Sequence, residues 1–170
     1  MNKKNIITAL LILIALFTIS KKVDPLKIKY EKLNNNKNIK VIIPNNSPVR
    51  NTNYTEIKKI LKKTGIIFVG SPKNEASRNS INILLQAAEE TGVEKISYID
   101  IQEITDNKLS DKIKRKIKVP LLIIIKNGKI IDIINESSET TNKQKNKKIK
   151  KKYIDAISKT MTCSINKNEC

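Results

Sequence analysis

The chain has 170 residues and a formal net charge of +18, from 34 Lys and Arg against 16 Asp and Glu, and it contains no histidine. Without imidazole, Ser-His-Asp and Cys-His hydrolysis, histidine acid–base chemistry and imidazole-bound zinc, copper or haem are excluded. Two cysteines cannot build a four-cysteine metal or cluster site, and the four glycines, Gly65, Gly70, Gly92 and Gly128, are too scattered to cradle a phosphate, so neither a metal nor a cofactor is expected.

The basicity is mostly lysine. Lys counts 31, Ile 32 and Asn 20, together 83 of the 170 residues. All three have AT-rich codons, so an AT-rich genome accounts for much of the charge. A nucleic-acid binder uses arginine forks to read bases and aromatic rings to stack on them. With three Arg and six aromatics, that reading is set aside.

At the N-terminus, Lys3 and Lys4 precede an uncharged apolar run at 6–19, which Ser20, Lys21 and Lys22 close. This is the layout of a secretory signal. As a membrane span it is short of the usual ~20 residues, although flanking lysines can snorkel and lengthen it. No good small-x-small cleavage site follows the run. The preferred reading of 1–22 is an uncleaved signal-anchor, a single pass with the C-terminal domain extracytoplasmic. The alternative is a cleaved signal and a secreted protein. Export permits a disulfide between Cys163 and Cys170, the only cysteines, in a tail at 163–170.

Residues 23–50 read as a polar, Asn-rich tether with an edge strand at 39–43, before Pro44 and Pro48. Residues 51–162 read as the folded domain. From Asn53, the spacing of Tyr54, Ile57, Ile60 and Leu61 predicts a helix that Gly65 ends. Residues 66–69 are a wholly apolar strand, of the kind covered on both faces. A long helix follows at 75–91, with Ile81, Leu84, Leu85 and Ala88 along one side and Gly92 as its stop. A strand at 95–101 and a short basic helix at 109–117 come next. Pro120 introduces a buried strand at 119–125, and Asn127-Gly128 is a hairpin turn to a partner strand at 129–134. Residues 135–147 read as a loop. A last helix carries Ile149, Tyr153, Ile157 and Met161. Crossover helices imply parallel pairing, and the hairpin adds an antiparallel edge, so the fold class is α/β, a mixed sheet with helices on both faces.

That order, with a proline opening the strand before the hairpin, resembles the thioredoxin fold. The segment Gly70-Ser-Pro-Lys-Asn-Glu-Ala-Ser-Arg78, after an apolar strand and before a helix, resembles the Gly-x-Pro-x-Cys-x-x-Cys-Arg pattern of membrane-tethered thioredoxin-like proteins of Gram-positive bacteria, relatives of bacteriocin-transport accessory proteins. Val119-Pro120, Lys126-Asn-Gly-Lys129 and the terminal cysteines are similar to that group too, over residues 28–170. The resemblance implies thiol–disulfide exchange, a cis proline at Pro120 and a substrate groove formed by Pro72, Val119 and Pro120. It also sets Asn74 and Ser77 at the two redox positions, which leaves a degenerate CxxC. Exchange needs one thiolate to attack a disulfide and a second to resolve the product. An amide and a hydroxyl do neither. The buried carboxylate of thioredoxin proper falls at Phe68, so that proton relay is missing as well.

Three readings follow. The first is a membrane-tethered, extracytoplasmic, non-catalytic module that binds a protein or peptide by strand addition along Val119 and Pro120. The second is an oxidoreductase working through Cys163 and Cys170, against which stands a plain structural disulfide. The third is a basic protein held to anionic lipid or cell-wall polymer by Lys143, Lys145, Lys147, Lys148, Lys150, Lys151 and Lys152, against which stands a solvated helix face. Asn74 and Ser77 equally read as helix-capping residues, and Pro120 as a strand opener.

Overall fold

In a computed structural model of the chain, the described residues are 23–114, 116–136 and 142–161. The apolar run at 6–19, Cys163 and Cys170 lie outside them. No helix among the described residues is long and apolar enough to cross a membrane.

The described chain runs α1 (Pro25–Glu31), β1 (Val49–Asn51), α2 (Tyr54–Ile60), β2 (Gly65–Gly70), α3 (Glu75–Thr91), β3 (Ile96–Asp100), α4 (Lys108–Ile113), β4 (Leu121–Lys126), β5 (Lys129–Ile134) and α5 (Lys143–Met161), with single 3-10 turns at Asn34–Asn36 and Ile101–Glu103. The strands form one sheet in the order β1-β3-β2-β4-β5. β3 pairs in parallel with β1 and β2, while β4 pairs antiparallel with β2 and β5. This is the expected mixed sheet.

The apolar strands divide their side chains by parity, because successive residues of a strand face opposite ways. Ile66 and Phe68 of β2, with Leu122 and Ile124 of β4, enter a core shared with α1, α3 and α5. Ile67 and Val69, with Leu121, Ile123 and Ile125, enter a second core under α2 and α4. β2 from Ile66 to Val69 and β4 from Leu121 to Ile125 are therefore apolar at every position, and neither face of these stretches meets water. β5 lies at the sheet edge, so Lys129 and Ile131 remain exposed.

The structure changes the reading of 23–50, which is folded rather than a tether. Asp24 caps α1 by accepting the Leu26 N–H at 2.8 Å, and Pro25 takes the first helical position, where its missing N–H costs nothing. Leu26 and Tyr30, one turn apart, are fully buried in the first core. The expected strand at 39–43 alternates as a strand should, with Ile39, Val41 and Ile43 buried and Ile42 75% exposed. It joins no sheet, and the edge strand is β1 instead. Side chains satisfy its backbone. Asn34 brackets Val41 with bonds of 2.8 and 2.9 Å, Asn82 donates to the Lys40 carbonyl, and the Glu75 carboxylate accepts from Ile39 N. Alternation reports burial on one side of an extended segment, not which groups complete its hydrogen bonds.

The lysine-rich stretch also differs. α5 begins at Lys143, inside the expected loop, because Asn142 caps it by accepting the Lys145 N–H at 3.1 Å.

All four tyrosines are buried. Burial raises Tyr30, Tyr98 and Tyr153 far above the ordinary phenol range, and burial with a bond to Asp106 raises Tyr54 to about 12. Their phenols hold protons in the folded chain that the unfolded chain gives up from about pH 10. Stability is thus undiminished below that pH and falls as pH climbs from 10 towards 12. In a spectrophotometric titration, no tyrosinate absorbance develops near pH 10, and most of it arrives together with the cooperative loss of circular dichroism.

Candidate functional site

The candidate site is built where β2 ends and β4 begins. β2 and β4 run antiparallel with Val69 opposite Leu121, so the register continued by one residue sets Gly70 opposite Pro120. The Val119–Pro120 peptide is cis. Gly70 has no room for a side chain: a Cβ there would lie 2.9 Å from Phe68, 3.0 Å from Tyr98 and 3.3 Å from the Tyr30 hydroxyl. Those three rings pack beneath the motif loop, Tyr30 edge-on to Tyr98 with their hydroxyls 3.3 Å apart. Phe68 is fully buried there, so a ring stands where the resemblance places a carboxylate.

From Gly70 the chain turns through Ser71 and the buried Pro72 into α3. Asn74 N donates to Ser71 O at 3.1 Å, and Asn74 is the N-cap, its Oδ1 accepting the Ser77 N–H at 2.7 Å. The Asn74 side-chain oxygen is thereby used in capping. Ser77 is fully buried, and its Oγ has no hydrogen-bond partner among the described residues. A hydroxyl without a base to take its proton is not a nucleophile. The pair of motif positions therefore holds a cap and a buried alcohol.

Arg78 follows, and its side chain is fully buried. Nε donates to Ile39 O at 2.6 Å, and one terminal nitrogen donates to Pro72 O at 3.1 Å and Tyr30 O at 3.4 Å; the other reaches Asn34 Oδ1. The guanidinium also sits 5.6 Å from the Tyr30 ring centre. Desolvation pulls its pKa down, opposed by the Glu75 charge. The motif arginine is thus a structural tie, joining the motif loop to the segment before β1.

Val119 is half-buried and Pro120 buried, and Asn135 Nδ2 holds their approach by donating to Lys118 O at 2.8 Å and Pro120 O at 2.7 Å. Val119 packs against the second core together with Ile101, Ile104 and Ile117, all of them only partly covered. Those three isoleucines line an open cleft of about 850 Å³ over α4, with Asp106, Asp111, Lys114 and Lys116 at its polar edge. It lies between the C-terminal end of β3 and the segment entering β4. A smaller cleft of about 290 Å³ adjoins the other side of the motif loop, between Pro72, Lys73, Lys29, Asp100 and Glu103. Pro72, Val119 and Pro120 thus stand at one end of the sheet, where Ile101, Ile104 and Ile117 lie partly covered with Val119 against the second core. Their signal in the sequence was weak, since isoleucine is the commonest residue of the chain. Among the described residues, no cluster of His, Cys, Asp or Glu is fit to hold a metal ion.

No protein-family model and no curated protein matches the chain. Solved structures do. A protein with a thioredoxin fold superposes with a TM-score of 0.50 at 11% identity, covering 67% of this chain and 94% of its own. Thioredoxin from Trypanosoma brucei brucei gives 0.49 at 13% identity, covering 66% and 94%. The first likeness, with the sheet order and flanking helices, makes this a thioredoxin-like α/β fold.

Replacing Arg78 by Met strands the carbonyls of Ile39, Pro72 and Tyr30 in the interior, a loss of about 3 kcal/mol in urea unfolding. Arg78→Lys recovers little, because an ammonium cannot span acceptors set so far apart. Hydrogen exchange in either variant rises first in residues 23–43.

Proposed function

We propose that this chain is a non-catalytic binding module of thioredoxin-like fold, which holds an extended protein or peptide segment along Pro72, Val119 and Pro120. The observation that carries the reading is the combination at one sheet end of Val119, half-covered, with the isoleucine-lined cleft of Ile101, Ile104 and Ile117, and motif positions 74 and 77 occupied by a cap and a buried alcohol. An extended segment would pair its backbone with Val119 and lay alternate apolar side chains into the cleft. The degenerate motif then keeps the recognition half of a thioredoxin site and not the exchange half. In this reading the run at 6–19 tethers the domain to the outer face of a membrane, as in the Gram-positive group that the motif resembles, and Cys163 and Cys170 form a structural disulfide.

Two measurements test it. Reduced and carboxymethylated α-lactalbumin, a permanently unfolded probe, should bind the wild-type chain, and Ile117→Asp or Ile104→Asp should weaken binding by about tenfold or more, as loss of a central apolar anchor does. Wild-type protein should not reduce insulin, whereas Asn74→Cys with Ser77→Cys should gain that activity. Insulin reduction by the wild type, abolished by Cys163→Ser, would transfer the function to the terminal cysteines. Absence of probe binding, or binding indifferent to Ile104 and Ile117, would overturn the groove.

A further inference from the structure

The strongest unexplained feature outside the groove is the outer face of α5. The fold uses the other side of this helix: Ile149, Tyr153, Ala156 and Ile157 are buried in the first core. At 3.6 residues per turn, Lys147, Lys148 and Lys151 fall opposite them. Lys143, Lys145, Lys147, Lys148 and Lys151 are all exposed, and none forms an ion pair among the described residues. The other lysines of the helix are engaged: Lys150 with Glu90 at 2.5 Å, Lys152 with Glu136, and Lys159 with Asp132.

This arrangement works against the helix that carries it. Its first turn holds no acidic residue, so Lys143 and Lys145 sit at the positive end of the helix dipole. Lys143 with Lys147, and Lys147 with Lys151, are like charges four residues apart, each pair unfavourable. Neighbouring acids do not relieve the face, because Glu90, Glu136 and Asp132 are already paired at its margins. Asp155 is the one exposed acid along the outer side of the described helix. An anionic surface laid against the helix would relieve this repulsion.

We infer that α5 is a docking face for an anionic phospholipid bilayer, on which the domain rests through Lys143, Lys147, Lys148 and Lys151. Lysine alone, without arginine or a ring on this face, supplies point charges to a plane of headgroups rather than forks and stacking for bases. The position agrees. α1, at the start of the described chain, packs in the same core layer as α5, and the apolar run at 6–19 precedes α1 in the sequence. Docking does not depend on the peptide groove and takes only its choice of surface from the tether.

The test uses the full chain, its variant with Lys143, Lys147, Lys148 and Lys151 all changed to Gln, and two sets of vesicles, one of phosphatidylcholine and one with about a third phosphatidylglycerol. Glutamine preserves helix propensity, so circular dichroism of the variant should match wild type. Binding to phosphatidylcholine reports the apolar run. The preference for phosphatidylglycerol over phosphatidylcholine reports charge. The wild type should show a preference that collapses with added salt, and the variant should lose about tenfold or more of it. A lysine-dependent preference without binding to phosphatidylcholine would still support docking while removing the tether. An equal preference in variant and wild type overturns the inference. So does lysine-dependent binding of duplex DNA by a chain that does not distinguish the vesicles, which would assign the face to nucleic acid.

Discussion

Arg78 is a guanidinium taken wholly out of water and given only neutral oxygens as hydrogen-bond partners. A buried charge without such partners is among the costliest things a fold can contain. Here the carbonyls of Tyr30, Ile39 and Pro72 and the amide of Asn34 surround it. Each of those oxygens belongs to a different stretch of chain. The end of α1, the turn after it, the extended segment at 39–43 and the motif loop are all held to the first turns of α3 by one side chain. The segment before β1 has no sheet partners of its own over 39–43, so this tie and the bonds from Asn34, Asn82 and Glu75 take the place of a strand ladder. The loop that positions Pro72 opposite the entry to β4 inherits the same constraint.

The consequence for function is a rigid frame with a quiet centre. Three rings under Gly70 leave no space for a side chain there, and Phe68 puts a ring where the resemblance places a carboxylate. A helix N-terminus activates a thiol by stabilising its thiolate, and α3 offers its first turn to Asn74, which answers with a cap. Accessible at this end of the sheet are half-covered Val119 and three isoleucines around a cleft whose edge is charged. It is on this surface that the proposed binding of an extended segment rests. The exposed lysines without ion pairs on α5 lie on a different element, so the proposed recognition and the proposed surface docking do not share residues.

Much of this was legible in the residues themselves. Strand β2, helix α3 from Glu75 to Thr91 and the hairpin at Asn127-Gly128 are local statements: an apolar run, a 3.6-residue stripe with a glycine stop, and a dipeptide suited to positive φ, which Asn127 and Gly128 both adopt. Asp24-Pro25 and Asn142 were local statements too, a cap with a proline behind it and a cap alone, but polar surroundings hid α1 and the start of α5. The placement of Pro72, Val119 and Pro120 beside Asn74 and Ser77 was what the resemblance implied, not a reading of the residues alone. Isoleucines 101, 104 and 117 did not stand out, because a residue type that fills both cores gives no sign of which copies stay partly uncovered.

The sequence by itself determined the elements from α2 to β5, their order and the absence of imidazole chemistry, since periodicity, turn residues and the lack of histidine are read along the chain. Only the tertiary structure decided that residues 39–43 are extended without being a strand, that Arg78 binds carbonyls from three separate stretches, and that Lys150, Lys152 and Lys159 of α5 meet acids while Lys143, Lys147, Lys148 and Lys151 form no ion pair among the described residues. Those outcomes depend on which backbone groups and charges meet across distances of tens of residues. No local pattern encodes such meetings, because burial and hydrogen bonding are settled between segments rather than within them.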